Sequence, residues 1–64
     1  MELQEARKAA RYSQEEVAGK LGVSRPTYAK MEKDPGMVTV DDAKKLAKLF
    51  GMSIGDIFFD SNYS

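Results

Sequence analysis

Ser13-Gln14-Glu15-Glu16-Val17-Ala18-Gly19-Lys20-Leu21-Gly22-Val23-Ser24-Arg25-Pro26-Thr27-Tyr28-Ala29-Lys30-Met31-Glu32-Lys33 is the stretch that decides the fold. It opens on an S-x-x-E capping box, in which the Ser13 hydroxyl accepts from a free first-turn amide and Glu16 reaches back to the Ser13 amide. Val17, Ala18 and Leu21 make the apolar stripe of a two-turn helix, and Gly22 suits the left-handed position that ends one. Ser24 then caps a second helix. Pro26 lies in its first turn, where a missing N–H costs nothing. That helix buries Tyr28 and Met31 and runs to Glu32 or Lys33. Two short capped helices around a glycine turn describe a helix-turn-helix, whose second helix can enter a major groove about 12 Å wide.

With Tyr28 and Met31 inward, steps of about 100° put Pro26, Ala29, Lys30 and Lys33 on the far face, with Arg25 beside them. The spacing alone fits either a DNA-reading face or a solvated face with chance bases. Proline and alanine among three bases make a face flat enough for a groove, with bases that reach edges and phosphates.

Outward from this core, Leu3, Ala6, Arg7 and Ala10 fall at helical spacing. Asp34-Pro35-Gly36 reads as a turn in which Pro fixes φ and Gly supplies φ > 0. Thr39-Val40-Asp41-Asp42 reads as another capping box, followed by the stripe Val40, Ala43, Leu46, Ala47 and Phe50 and a stop at Gly51. Ser53-Ile54-Gly55-Asp56 opens a last helix with Ile57 and Phe58 inward. Met37–Val40 is β-prone but too short and partnerless for a sheet. The expected fold is all-α, a compact bundle of five helices. Residues 1–59 form one domain and residues 60–64 a short tail; Met1 and the polar end read as a natural start and stop.

The 64 residues contain neither cysteine nor histidine. This excludes disulfides, thiolate and imidazole metal sites and histidine-based triads. So small a chain encloses no deep pocket, and an enzyme, a cofactor or a metal is not expected. No run approaches the 18 apolar residues of a membrane span, and the N-terminus is too polar for a secretory signal. A cytoplasmic protein is the plain reading. Ten bases balance ten acids, with seven bases against five acids in residues 1–33 and two acids without a base in residues 51–64. Adjacent Asp41 and Asp42 point about 100° apart and read as helix-start charges rather than a metal pair. Gly51-x-x-x-Gly55 lacks the apolar span of a membrane dimer motif.

Leu3-x-x-Ala6-Arg7-Lys8, Ser13 to Ala18, Lys20-Leu21-Gly22-Val23-Ser24 and Tyr28-x-x-Met31-Glu32 together resemble the phage-repressor family, of lambda-repressor-like or Cro type. Ala43-x-x-Leu46-Ala47-x-x-Phe50-Gly51-Met52-Ser53 and Asp56-Ile57-Phe58 continue the resemblance, which covers residues 2–58 in family order. It implies that Gln14 touches a phosphate and orients the third helix, and that Arg25, Pro26, Thr27 and Lys30 read bases. It also implies that Ser24 caps that helix with a phosphate contact available, and that Arg7 and Glu32 form an ion pair between the first and third helices. Lys20 and Lys33 join Gln14 and Ser24 as phosphate-positioning candidates.

Three features depart from the family pattern. Arg11 stands where glycine is usual, which argues for a remodelled first turn. The loop after the third helix is Lys33-Asp34-Pro35-Gly36 instead of a basic run. The net charge is zero, which predicts weak salt dependence of any DNA binding.

The expectation is a sequence-specific, repressor-like transcriptional regulator that binds double-stranded DNA as a homodimer. The rival is a protein-interaction module on the same fold, antirepressor or antitoxin-like, holding a partner through its C-terminal region. Leu49 falls off the main stripe and Phe59 follows the inward Phe58. The two are candidates for a dimer or partner surface, unless the terminal helix folds back over the core.

Overall fold

A computed structural model describes residues 2–58, so Phe59 and the expected tail fall outside the described residues. Among the described residues there are five α-helices and no strand: α1 (Leu3–Ala9), α2 (Gln14–Leu21), α3 (Arg25–Lys33), α4 (Val40–Phe50) and α5 (Ile54–Phe58). A single 3-10 turn, Pro35–Met37, lies between α3 and α4. The expected all-α, five-helix bundle is what forms. Helices α2 and α3 pack on each other, α4 on α5, and α1 against both α4 and α5. Leu3, Val17, Tyr28, Leu46 and Ile57, one from each helix, meet in one core with Ala6, Ala18, Met31, Ala47 and Phe50.

The capping residues act as their chemistry dictates. At Ser13 both arms of the box are made, with Glu16 N–H donating to Ser13 Oγ at 3.0 Å and Ser13 N–H donating to Glu16 Oε1 at 2.9 Å. The bond from the Ser13 amide holds the Glu16 carboxyl below the ordinary glutamate value. At Thr39 only one arm forms. Asp42 N–H donates to Thr39 Oγ1 at 3.1 Å, and Asp42, a methylene shorter than glutamate, makes no return bond among the described residues.

Helices α1, α2 and α4 end alike. The amides of Tyr12, Val23 and Met52 each reach back to a carbonyl five residues earlier, on Arg7, Ala18 and Ala47, at 2.9–3.2 Å. The residue before each of these is left-handed, with φ +64° at Arg11, +76° at Gly22 and +69° at Gly51. This is the Schellman closure, which satisfies the orphan carbonyls of the last turn. The first turn is therefore not remodelled around Arg11. Tyr12 packs its ring against Phe50, with centroids 6.1 Å apart, and its carbonyl accepts from Arg7 Nη1 at 2.8 Å. With Tyr12 held on both sides, Arg11 is forced into a conformation that costs a non-glycine residue about 1–2 kcal/mol.

Two further expectations are corrected. Gly36 does not supply a positive φ. The loop closes as a right-handed 3-10 turn, with Met37 N–H donating to the Asp34 carbonyl at 3.0 Å and Gly36 N–H to Asp34 Oδ1 at 3.2 Å. Val40 is not part of the buried stripe, which begins at Ala43; as the first residue of α4 it is 69% exposed. Ile57 is buried as expected, while Phe58 and Leu49 are half-buried at the edge of the core.

Arg11→Gly is expected to stabilise the protein by about 0.5–1 kcal/mol, the relief of left-handed strain outweighing the greater entropy of unfolded glycine. Urea unfolding of the two proteins under identical conditions measures it; equal midpoints would mean that Arg11 is not strained.

Candidate nucleic-acid interface

Helix α3 is anchored by Tyr28, fully buried, and by Met31. A helical period of 3.6 residues then turns the rest of its surface outward. Arg25, Pro26, Lys30 and Lys33 are exposed, and Thr27 and Ala29 are half-buried. The face expected from the sequence is thus the outward face of α3, with its three bases along its length. At its start, Thr27 N–H donates to Ser24 Oγ at 3.3 Å, and Ser24 Oγ donates to Thr27 Oγ1 at 2.9 Å. The Ser24 and Thr27 hydroxyls therefore share one hydrogen bond inside the cap of α3.

What sets the angle of α3 is a cluster on its inner margin. Arg7 Nε donates to Glu32 Oε2 at 2.6 Å, and Gln14 Nε2 donates to Glu32 Oε1 at 2.9 Å. The Arg7 and Glu32 side chains are 10% and 5% exposed. One carboxylate therefore receives α1 through Arg7 and the first residue of α2 through Gln14, with both oxygens occupied. Arg7 and Glu32 thus pair across α1 and α3, and Gln14 bonds the same carboxylate.

Burial alone would push the Glu32 carboxyl up, but the interactions with Arg7, the Tyr28 hydroxyl and Gln14 together outweigh it. The carboxyl titrates below the ordinary 4.5. The bond to Glu32 raises Arg7 above its already high value, against a smaller opposing effect of burial. The Tyr28 hydroxyl is buried beside this pair without a partner at hydrogen-bond geometry among the described residues. Burial first, and then the Glu32 carboxylate, push its pKa up.

Arg7, Ser13, Gln14, Glu15 and Arg25 line an open hollow of about 520 Å³ where the starts of α2 and α3 approach each other. The structure thus brings Gln14 and Arg25 together. Lys20 lies apart from them, around a smaller hollow with Leu21, Lys45, Lys48 and Leu49. Reasoning from sequence missed the bond from Arg7 to the Tyr12 carbonyl, whose partner is a backbone atom with no residue signature. It also missed the exposure of Val40, which the apolar stripe of α4 assigned to the inside, and gave no side to Met37, which is exposed as well.

Arg7→Ala, which strands a poorly solvated Glu32, is expected to destabilise the fold by about 2–4 kcal/mol. Arg7→Met combined with Glu32→Leu should recover much of that loss, since no charge is then left unpaired. The folded Glu32 carboxyl holds its proton less tightly than the unfolded one. Its contribution is therefore fully present above about pH 4.5 and is lost as the pH falls through the depressed folded value. Urea unfolding at neutral pH and at stepwise lower pH should show a shallower acid limb for Glu32→Gln than for the wild type. An unchanged limb would assign the acid sensitivity to other carboxylates.

Comparison with known proteins agrees with this geometry. A helix-turn-helix family model matches residues 3–57. An uncharacterized HTH-type transcriptional regulator of Methanocaldococcus jannaschii is 48% identical over 46 residues, covering 72% of this chain and 70% of that one. The cryptic phage CTXphi transcriptional repressor of Vibrio cholerae is 39% identical over 49 residues, 77% of this chain; the match spans 44% of that repressor's length. No solved structure matches the chain significantly. No helix among the described residues is long and apolar enough to cross a membrane. In sequence from Leu3 to Ile57 and in the arrangement of α2 and α3, the chain belongs to the helix-turn-helix family, as the phage-repressor resemblance implied.

Proposed function

We propose that this protein is a sequence-specific DNA-binding transcriptional regulator of repressor type that lays α3 in the major groove and acts as a homodimer. The observation that carries the reading is the outward face of α3, where exposed Arg25, Lys30 and Lys33 flank Pro26 and Ala29 on a helix held by the Arg7–Glu32–Gln14 cluster. Arg25, at the first position of α3, is shaped for a bidentate contact with guanine, and Lys30 follows along the same face. Pro26 and the Thr27 methyl suit a thymine methyl group. Gln14 and Lys33 serve as phosphate-positioning contacts, with the hollow between Gln14 and Arg25 receiving the backbone. Ser24 contributes mainly through its cap, where its hydroxyl accepts from the Thr27 amide and bonds the Thr27 hydroxyl. Lys20 lines a separate hollow with Lys45 and Lys48. That a related phage protein is named a transcriptional repressor supports the direction of regulation.

The rival reading, a protein-interaction module, draws on zero net charge and on an apolar groove bounded by Pro35, Val38, Val40 and Phe58. The two readings part at the nucleic acid. Selection from a randomised duplex pool at low and near-physiological salt is expected to enrich an inverted repeat with half-sites about one helical turn apart. Against the selected duplex, Arg25→Ala should cost about 1–3 kcal/mol and relax preference at one base pair. Lys33→Ala should weaken all sequences alike and lower the salt slope by about one. Weak binding without enrichment that disappears at higher salt would overturn the regulator reading in favour of the interaction module.

A further inference from the structure

Five side chains line the hollow where α2 and α3 begin, and three of them are committed within the fold. Arg7 donates to Glu32 and to the Tyr12 carbonyl, Gln14 donates to Glu32, and the Ser13 hydroxyl accepts from the Glu16 amide. The two that remain are Glu15 and Arg25, of opposite charge. Both are exposed, and neither side chain takes part in a hydrogen bond or an ion pair among the described residues.

Glu15 does nothing for α2 that its neighbour does not already do. An acid in a first turn suits the helix dipole, but Glu16 supplies that charge and also closes the capping box with Ser13. Phosphate affinity does not call for Glu15 either. A hollow that receives the DNA backbone is best lined with bases, and a carboxylate on its wall opposes an incoming phosphate.

We infer that Glu15 is a positioning residue for Arg25 and so a determinant of sequence discrimination, an inference that rests on the DNA-binding reading. Facing a duplex that lacks its guanine, Arg25 turns to a phosphate, the strongest acceptor left to a guanidinium. Glu15 competes with that phosphate for Arg25 and repels the phosphate itself, so binding through the backbone alone is weakened. Facing guanine, Arg25 commits one edge of its guanidinium to the base. The N–H groups left over are then available to the Glu15 carboxylate, which holds the plane of the fork. The same carboxylate thus penalises the wrong duplex more than the right one, and discrimination grows without a further base contact. The hollow is open to solvent, so water and salt screen these charges and the effect is a few-fold change.

The test measures fluorescence anisotropy of three labelled duplexes at low and near-physiological salt. They are the selected duplex, the same duplex changed at the base pair where Arg25→Ala relaxes preference, and an unrelated one. The proteins are the wild type, Glu15→Gln, Glu16→Gln, Arg25→Ala, and Glu15→Gln combined with Arg25→Ala. Glu16→Gln removes the same charge one residue away, and glutamine still closes a capping box. Cooperative thermal unfolding checks that each variant is folded.

Glu15→Gln is expected to lower the preference for the selected over the unrelated duplex at least about threefold, mostly at the base pair assigned to Arg25. Glu16→Gln should leave that ratio within about twofold of the wild type. In the Arg25→Ala background, Glu15→Gln should leave the ratio unchanged. If Glu15→Gln and Glu16→Gln strengthen every duplex alike, Glu15 acts only through net charge and the inference falls. It falls equally if Glu15→Gln changes the ratio as much without Arg25 as with it. A wild type that prefers no duplex removes the regulator reading and this inference together, whereas a preference that Glu15→Gln leaves intact removes the inference alone.

Discussion

The Glu32 carboxylate is the point on which the arrangement of the first three helices depends. Helices this short do not persist alone in water, and α2 and α3 have only eight and nine residues. Apolar packing of Val17, Ala18, Tyr28 and Met31 holds them together, but such packing is tolerant of small rotations. Directional bonds are not. Arg7 from α1 and Gln14 from α2 fill the two oxygens of a single side chain on α3, so rotation or sliding of α3 breaks one bond or the other. Bonds to both carboxylate oxygens therefore fix which face α3 turns outward.

The same cluster accounts for the strained backbone at Arg11. Arg7 serves Glu32 with one nitrogen and the Tyr12 carbonyl with another, which ties the end of α1 to the ion pair. Tyr12 in turn lies on Phe50 of α4. Once Tyr12 is placed, closure of α1 demands a left-handed residue at position 11, whatever its side chain. Where no such demand conflicted with the sequence, at Gly22 and Gly51, the same closure formed with residues suited to it. The strain at Arg11 is thus a local cost offset by contacts that reach across three helices.

The surface divides by chemistry. Along α3 the exposed groups are basic and interrupted by small or flat residues. Past its C-terminal end the family's basic loop is replaced by Asp34-Pro35-Gly36-Met37, and the character turns apolar and mixed in sign. Zero net charge then follows from the division, with the bases concentrated in the first half of the chain. Long-range attraction to a polyanion is weak for a protein of zero net charge.

Much of this was legible in the sequence, because capping and periodicity are local. Ser13, Ser24 and Thr39 start their helices through bonds to amides three residues on, and Gly22 and Gly51 stop theirs through their own backbone freedom. The outward face of α3 followed from two buried residues and the helical period, and the pairing of Arg7 with Glu32 from resemblance across residues 2–58. What the tertiary structure decided concerns atoms distant in sequence or anonymous in it. The left-handed Arg11 answers to a tyrosine held by another helix, the Tyr12 carbonyl belongs to no residue type, and the exposure of Val40 depends on how α4 meets its neighbours. Local chemistry specifies where helices begin and end, since its partners lie within a turn. Only the packed chain determines which groups are left facing water, because burial is a property of the whole assembly of helices.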